Sequence, residues 1–266
     1  MSDQALVLRG VSKSFASHVA VRELSLDVPR GSVFGLLGPN GAGKTTTLRM
    51  VMDILGVDSG SIQILGQPAD QAARDRIGYM PEERGLYPRM VLEEQLLFMA
   101  AIKGLGRKEA ATRVGPWLER LGLAEWRQRK TNELSKGMQQ KAQFIATVLH
   151  EPDLLIVDEP MSGLDPVGMD VMRDVMVDLS RKGTTIVLSS HQMDTVEKLC
   201  DRVALINKGK KILDGSVSEV KARHGNNTLI LAFEGDGSFL ADLPGVEKVS
   251  DFGQYVEVRV ADGTDT

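Results

Sequence analysis

Between residues 5 and 37 the apolar positions come in short alternating or continuous pieces, "LVLRGV", "VAVRELSLDV" and "SVFGLLG", punctuated by Pro29-Arg30-Gly31, and this pattern predicts strands. After Lys44 the spacing in "TTTLRMVMDIL" turns helical, then "SIQILG" and "RIGYM" return to strand, so two kinds of sheet around one strand–loop–helix unit are expected. From Val91 to Leu123 the period is helical, with breaks expected at Gly104 and Gly106 and again at Gly115-Pro116. "LLIVD", a helix from about Pro166 to Arg181, "TTIVLSS", a helix from Gln192 and "RVALI" alternate as βαβ units of a mostly parallel, buried sheet. Lys208-Gly209 marks a hairpin turn into "KKILDG". Beyond Gly225, "NTLILAF", "GVEKV" and "YVEVRV" read as antiparallel strands of a small accessory unit, 226–266, following a main domain over 1–225. Met169, Met172 and Met176 recur at helical spacing and are expected in the core.

Composition narrows the picture little. A chain of 266 residues, 42% hydrophobic, buries one large core with a small satellite. With 32 basic and 36 acidic residues the net charge is −4, which argues against a nucleic-acid surface spread over the whole fold. The longest apolar runs are strand-sized, so no membrane crossing is expected. "MSDQALVLRG" has no cationic segment leading into an apolar one, and Ser2 stands where myristoylation needs glycine, so a cytosolic location is expected. The single cysteine, Cys200, is expected to pack rather than react.

The chemistry is concentrated in a few short stretches. "GPNGAGKTT", Gly38 to Thr46, fits G-x-x-x-x-G-K-[ST] between a strand pattern and a helix pattern. Gly38, Gly41 and Gly43, with Pro39, Asn40 and Ala42 between them, let the backbone wrap a β-phosphate in N–H groups. Lys44 reaches the β/γ oxygens as a point charge, Thr45 offers a hydroxyl to Mg²⁺, and Thr46 follows. "LLIVDEP" then ends a buried strand on Asp158 and Glu159, which suit a Mg²⁺ ligand acting through water and a general base beside the γ-phosphate. A guanine site needs N-K-x-D, and "NKGK", Asn207 to Lys210, places Lys210 where that carboxylate belongs, so adenine is the expected base.

"LSKGMQQK", Leu134 to Lys141, looks like the first turn of a helix with Ser135 as N-cap, yet Gly137 inside that turn costs about 1 kcal/mol relative to alanine. Bare N–H groups, a hydroxyl and a missing side chain at a helix N-terminus suit an anion that comes very close.

In order and content these stretches resemble the ATP-binding cassette (ABC) ATPases over about residues 5 to 224. The resemblance implies an α/β fold: a P-loop NTPase core of mostly parallel sheet, an antiparallel β subdomain, a helical subdomain at about 83–150 and a small α+β C-terminal unit. It also implies residue roles: Phe15 as the aromatic that stacks on adenine, Gly38 to Thr46 as Walker A, "LSKGM" as the signature, Asp158 and Glu159 as Walker B and its catalytic glutamate. "SGLD", ending at Asp165, matches the D-loop and His191 the switch histidine. Glu82 in "IGYMPEE" stands where the family usually has the Q-loop glutamine; as a carboxylate it cannot donate a hydrogen bond, and bringing negative charge near Mg²⁺ and the γ-phosphate it either meets Mg²⁺ through water or points away, the metal site being the expectation. Lys136 and Met138 replace a glycine and a glutamine of the signature, and Lys136 is expected to face solvent.

The same resemblance implies ATP and Mg²⁺ as cofactors and a head-to-tail dimer, in which Ser135 and the Gly137 N–H serve a nucleotide held by the partner's Walker A. It further implies a separate transmembrane permease, placing the chain peripherally at the inner face of the cell membrane. Leu86, Tyr87, Met90 and Leu97 offer a groove edge for a short helix of that permease, or pack the helical subdomain's own core. "PEERGLY" and "LSKGMQQK" look like a bacterial exporter group whose added C-terminal domain is usually longer than residues 226–266. The rival expectation is a soluble ABC ATPase acting on a nucleic-acid or ribosomal partner.

Overall fold

A computed structural model describes residues 3–16, 18–224, 228–231, 239–240, 243–251 and 256–261. Three strands, β1 (Gln4–Phe15), β2 (His18–Pro29) and β3 (Val33–Leu37), precede helix α1 (Lys44–Val51), and β4 (Ser59–Ile64), the two-residue β5 (Gln67–Pro68), helix α2 (Gln71–Asp75) and β6 (Ile77–Met80) follow. Three helices come next, α3 (Leu92–Ile102), α4 (Arg107–Arg120) and α5 (Lys136–Val148). Strands and helices then alternate as β7 (Leu154–Asp158), α6 (Pro166–Arg181), β8 (Thr185–Ser190), α7 (Met193–Leu199), β9 (Arg202–Asn207) and β10 (Lys210–Ser216).

The two kinds of sheet expected from the pattern are both present. The first is antiparallel, in the order β2-β1-β4-β5; the second runs β10-β9-β3-β8-β7-β6 and is parallel except at the β9–β10 edge. In β3, β7 and β8 every residue is buried, as strands covered on both faces must be. One apolar core joins Leu8, Leu24 and Leu26 of the antiparallel sheet to Leu48 and Met50 of α1 and to Phe34, Ile156 and Val187 of the parallel sheet. Helix α1 is thereby seated from both sides.

The three middle helices bury Leu92, Leu96 and Ala100 of α3, Ala110, Val114 and Leu118 of α4 and Phe144 of α5, with Trp117 set edge-on to Phe144 at 6.4 Å. The expected break at Gly104 and Gly106 is found, but the one at Gly115-Pro116 is not, because α4 runs straight through Pro116. Burying Val114 and Leu118 stabilises by about 1.5–3 kcal/mol each, which offsets the roughly 3 kcal/mol that a mid-helix proline costs. Pro116 and Thr112 lie on the exposed side of the helix, where the carbonyl freed by the ring meets water. Met172 and Met176 are fully buried as expected, whereas Met169 is half-buried on a cavity wall. Lys208 (φ 47) and Gly209 (φ 74) form the expected turn, with Asn207 opposite Lys210.

By contacts the chain divides into two compact units, Met1–Val217 and Ser218–Thr266, so the division falls at the start of helix α8 (Val217–His224) rather than after it. The second unit holds an antiparallel sheet in the order β11 (Thr228–Leu231), β13 (Val256–Val260) and β12 (Val246–Asp251), with Leu240 and Val258 buried. Ser2, parts of "NTLILAF" and "YVEVRV", and the end "DGTDT" lie outside the described residues. No helix among the described residues is long and apolar enough to cross a membrane.

One half-buried titrating group ties the middle helices to the sheet. The carbonyl of Ile77 at the start of β6 receives Lys103 Nζ at 3.0 Å and His150 Nε2 at 3.2 Å. Burial, with the positive charge of Lys103 beside it, pushes the His150 imidazole down to about 4. A base weakened on folding binds its proton more readily in the unfolded chain, so its contribution is flat above about 6.5 and is lost as pH falls toward about 4. His150→Gln keeps an N–H for the Ile77 carbonyl and removes the titration. Thermal melts at pH 7 and pH 5 are expected to lie closer together in that variant than in the parent.

Candidate active site

The loop between β3 and α1 is shaped by its glycines. Gly43, the residue before α1, has φ 106, and a Cβ there would lie 2.5 Å from the carbonyl oxygen of Ala20. Only glycine fits this position. The loop is supported from below by the β9–β10 turn: the Gly209 N–H donates to the Ala42 carbonyl at 2.9 Å, and the Gly209 carbonyl accepts from the Arg22 N–H at 2.8 Å. "NKGK" is thus a brace for the loop, a role its resemblance to a base-reading motif concealed. Lys44 is only 6% exposed; its ammonium donates to the carbonyls of Gly38 (2.6 Å) and Pro39 (3.2 Å) and lies 3.9 Å from Glu159 Oε1.

Above the loop is a cavity of about 330 Å³ lined by Phe15, Asn40 to Thr46, Glu82 and Glu159, with His18 and Ala20 of β2 on its wall. Phe15, at the end of β1, is 44% exposed, with Lys13 Nζ 5.8 Å from its ring centroid, so a broad aromatic surface stands at the rim. Glu82 is exposed at the same rim, and the backbone on either side of it is held by Gln143 of α5, whose Nε2 donates to the carbonyls of Pro81 (2.8 Å) and Glu83 (3.2 Å).

Asp158 and Glu159 leave the end of β7 in opposite circumstances. Asp158 is fully buried; its Oδ1 accepts from the Ser189 hydroxyl, and its Oδ2 has no hydrogen-bond partner. A buried carboxylate oxygen without a partner is costly unless something cationic or protic meets it. Among the described residues no group of three or more His, Cys, Asp or Glu is placed to hold a metal ion. A divalent cation at Asp158 would fit as one coordinated chiefly by phosphate, water and hydroxyl oxygens, and half-buried Thr45 is the residue that would offer the hydroxyl. Glu159 has φ 51, a left-handed conformation rare outside glycine, and its Oε1 lies 2.9 Å from Nδ1 of His191 on the loop after β8. A carboxylate accepts, so Nδ1 carries the proton in this bond and Nε2 is left for a further partner.

Ser135, Gly137 and Asp165 are not among the residues that line the cavity. Ser135 is exposed and caps α5, its Oγ accepting from the Met138 N–H at 3.2 Å; Lys136 is exposed beside it. Asp165 caps α6, its Oδ1 accepting from the Gly168 N–H at 2.9 Å. A Cβ on Gly137 would lie 2.9 Å from the carbonyl oxygen of Gly163, so this glycine admits the "SGLD" loop of its own chain to the helix end. Of the proposed permease contacts, Tyr87 is exposed and packs edge-on with Phe98 at 5.9 Å, while Leu86, Met90 and Leu97 are half-buried. Cys200 is buried, with its thiol pushed up to about 12 by burial, in keeping with packing rather than reactivity.

Ser189, Gln140 and Gln143 were not singled out from the sequence. Gln140, also buried, donates through Nε2 to the carbonyls of Glu159 (3.3 Å) and Pro160 (3.1 Å). The available signal was the presence of amides three residues apart in a helix whose later turns are apolar, and of hydroxyls ending a buried strand.

Residues 21–162, more than half of the chain, match the family described as ABC transporter. An uncharacterized ABC transporter ATP-binding protein of Bacillus subtilis (strain 168), YhaQ, is 42% identical over 96% of this chain and 86% of its own length. The Nod factor export ATP-binding protein I of Paraburkholderia xenovorans (strain LB400) is 35% identical over 98% of this chain and 88% of its own. A solved ATP-binding subunit of an ABC transporter, 31% identical, superposes with a TM-score of 0.77 over 83% of this chain and 93% of that one. With a phosphate-type loop and Glu159 lining one cavity, Asp158 preceding Glu159 at the same strand end and His191 hydrogen-bonded to Glu159, and with relatives alike over most of their length, the chain belongs to the ABC transporter family, as one of its ATP-binding subunits.

Proposed function

We propose that the chain hydrolyses ATP to ADP and phosphate as a head-to-tail dimer that energises a separate membrane permease, in export. The carrying observation is that Glu159, on the cavity wall, lies 3.9 Å from Lys44 and 2.9 Å from His191, while Ser135 caps a different helix and is not among the lining residues. The export direction is drawn from the Nod factor relative, and the peripheral place at the inner membrane face from the permease partner that an ATP-binding subunit implies.

In this reading Phe15 stacks on adenine and the N–H groups of residues 38–46 hold the phosphates with Lys44. Mg²⁺, held by Thr45 and Asp158 with Glu82 at the rim, would neutralise charge on the β and γ oxygens. Glu159 takes a proton from water, the water oxygen bonds to the γ-phosphorus, and the bridging oxygen leaves with ADP. His191 holds Glu159 through Nδ1 and offers Nε2 to the γ-phosphate. Ser135, the Gly137 N–H and Asp165 face the nucleotide of the partner copy, so nucleotide capture and dimer closure are one event.

Glu159→Gln is expected to cut turnover by about 10² or more while leaving binding intact, because general-base help is worth roughly 10² to 10⁴. Gel filtration with MgATP should then show a dimer, and a monomer only would contradict the shared site. Ser135→Arg alone should also be inactive. Mixed with Glu159→Gln, it should recover as much as about a quarter of parental activity, since half of the dimers are mixed and each has one complete site of two. No recovery would confine Ser135 to its own chain's chemistry.

Glu82→Gln tests the rim carboxylate. A Mg²⁺ titration of ATPase is expected to show a severalfold higher half-saturating concentration with metal-free ATP binding no weaker, since a negative charge near the phosphates has been removed. Unchanged Mg²⁺ dependence would take Glu82 out of the metal site.

A further inference from the structure

Strands β7 and β8 run parallel with Asp158 opposite Ser189. Ser189 is fully buried, and its hydroxyl makes two bonds: it donates to Oδ1 of Asp158 and accepts the N–H of Glu159 at 3.0 Å. A hydroxyl has one proton and two lone pairs, and a backbone N–H only donates, so the serine proton is committed to Asp158. Both bonds have a direct consequence for the adjoining acids. With Oδ1 occupied, Oδ2 is the carboxylate oxygen left without a partner. With its N–H held, Glu159 keeps the left-handed backbone, φ 51, from which its side chain reaches His191 at 2.9 Å and Lys44 at 3.9 Å.

We propose that Ser189 is a positioning residue for hydrolysis, one hydroxyl that orients both acids at the end of β7. It stops rotation of the Asp158 carboxylate, a torsion that is otherwise broad and twofold, and so presents Oδ2 to the divalent cation. It also fixes the turn that carries the general base. The inference rests on the roles given above to Asp158 and Glu159, and it adds a residue that touches neither nucleotide nor water. Neither of its two bonds reaches the phosphate loop, and Lys44 keeps its own bonds to the Gly38 and Pro39 carbonyls, so nucleotide affinity without metal is expected to depend little on the hydroxyl.

The test is a series in the full-length chain: Ser189→Ala, Ser189→Thr, and Ser189→Val, which has the shape of threonine without the hydroxyl. Three quantities are read: kcat and KM for MgATP, Mn²⁺ affinity of the nucleotide-bound protein by electron paramagnetic resonance, and binding of a fluorescent ATP analogue in EDTA. Ser189→Ala is expected to lower kcat and Mn²⁺ affinity about 10–100-fold, the usual cost of losing a residue that orients a metal ligand. Analogue binding in EDTA should stay within twofold of the parent. Threonine should restore most of the loss and valine none, which separates the hydroxyl from the space it fills, and this pair decides the matter if the alanine variant folds poorly. Equal kcat and Mn²⁺ affinity in the threonine and valine variants would overturn the proposal. Asp158→Asn and Glu159→Gln are run beside them: if these remain active the roles of the two acids fall, whereas if these are dead and Ser189→Val is as active as Ser189→Thr only the role of Ser189 falls.

Discussion

The site depends on the lateral pairing of three buried strands. β8 lies between β3 and β7 with Leu37 opposite Ser190 and Asp158 opposite Ser189, so the phosphate-type loop, the acid pair and the histidine loop leave neighbouring strand ends. All three strands are buried on both faces, and a slip of one residue would turn Asp158 from its serine and carry a carboxylate into the apolar core. The register is therefore enforced by both packing and polar satisfaction. Loop bracing follows the same logic, because the carbonyl of Ala42 and the N–H of Arg22 are both met by the β9–β10 turn.

Helix α5 extends this frame to segments far apart in the chain. Its N-terminus is Ser135, exposed; one turn on, Gln140 holds the carbonyls of Glu159 and Pro160, and Gln143 holds those flanking Glu82. Buried amides that satisfy loop carbonyls are expensive to leave unpaired, roughly 1–3 kcal/mol for each polar group, so loops and helix tend to move together. The exposed end of α5 is thus tied through these two amides to the backbone of Glu159 and to that flanking Glu82, although Ser135 itself does not line the cavity.

Most of the fold was legible because it is written in local patterns. Fully apolar runs mark β3, β7 and β8, and the glycines of residues 38–43 mark a backbone that no other residue can follow. The misreading at Pro116 came from giving a local breaker more weight than the burial of Val114 and Leu118, which only the packed helices reveal. Ser189, Gln140 and Gln143 were illegible for another reason. Their partners are 19 to 62 residues away in the chain, and a hydroxyl or amide in a buried element reads as a tolerated polar residue until the register shows what it meets. Glu159 and His191, 32 residues apart, were recoverable only through the order of motifs.

The signature end separates two arguments that the sequence had fused. Gly137 needs no anion to explain it, since the Gly163 carbonyl oxygen of the same chain lies 2.9 Å from where its Cβ would be, too close for a side chain without a shift. Ser135 differs. Capping uses a lone pair of its oxygen, in the bond from Met138 N–H, and leaves the hydroxyl proton free to donate outward from an exposed helix N-terminus whose dipole favours negative charge. The cap and an incoming phosphate therefore do not compete for the same part of the side chain. The proposed completion of a second copy's nucleotide site would draw on that proton, whereas alanine at this position would offer the helix no cap and an anion no hydroxyl.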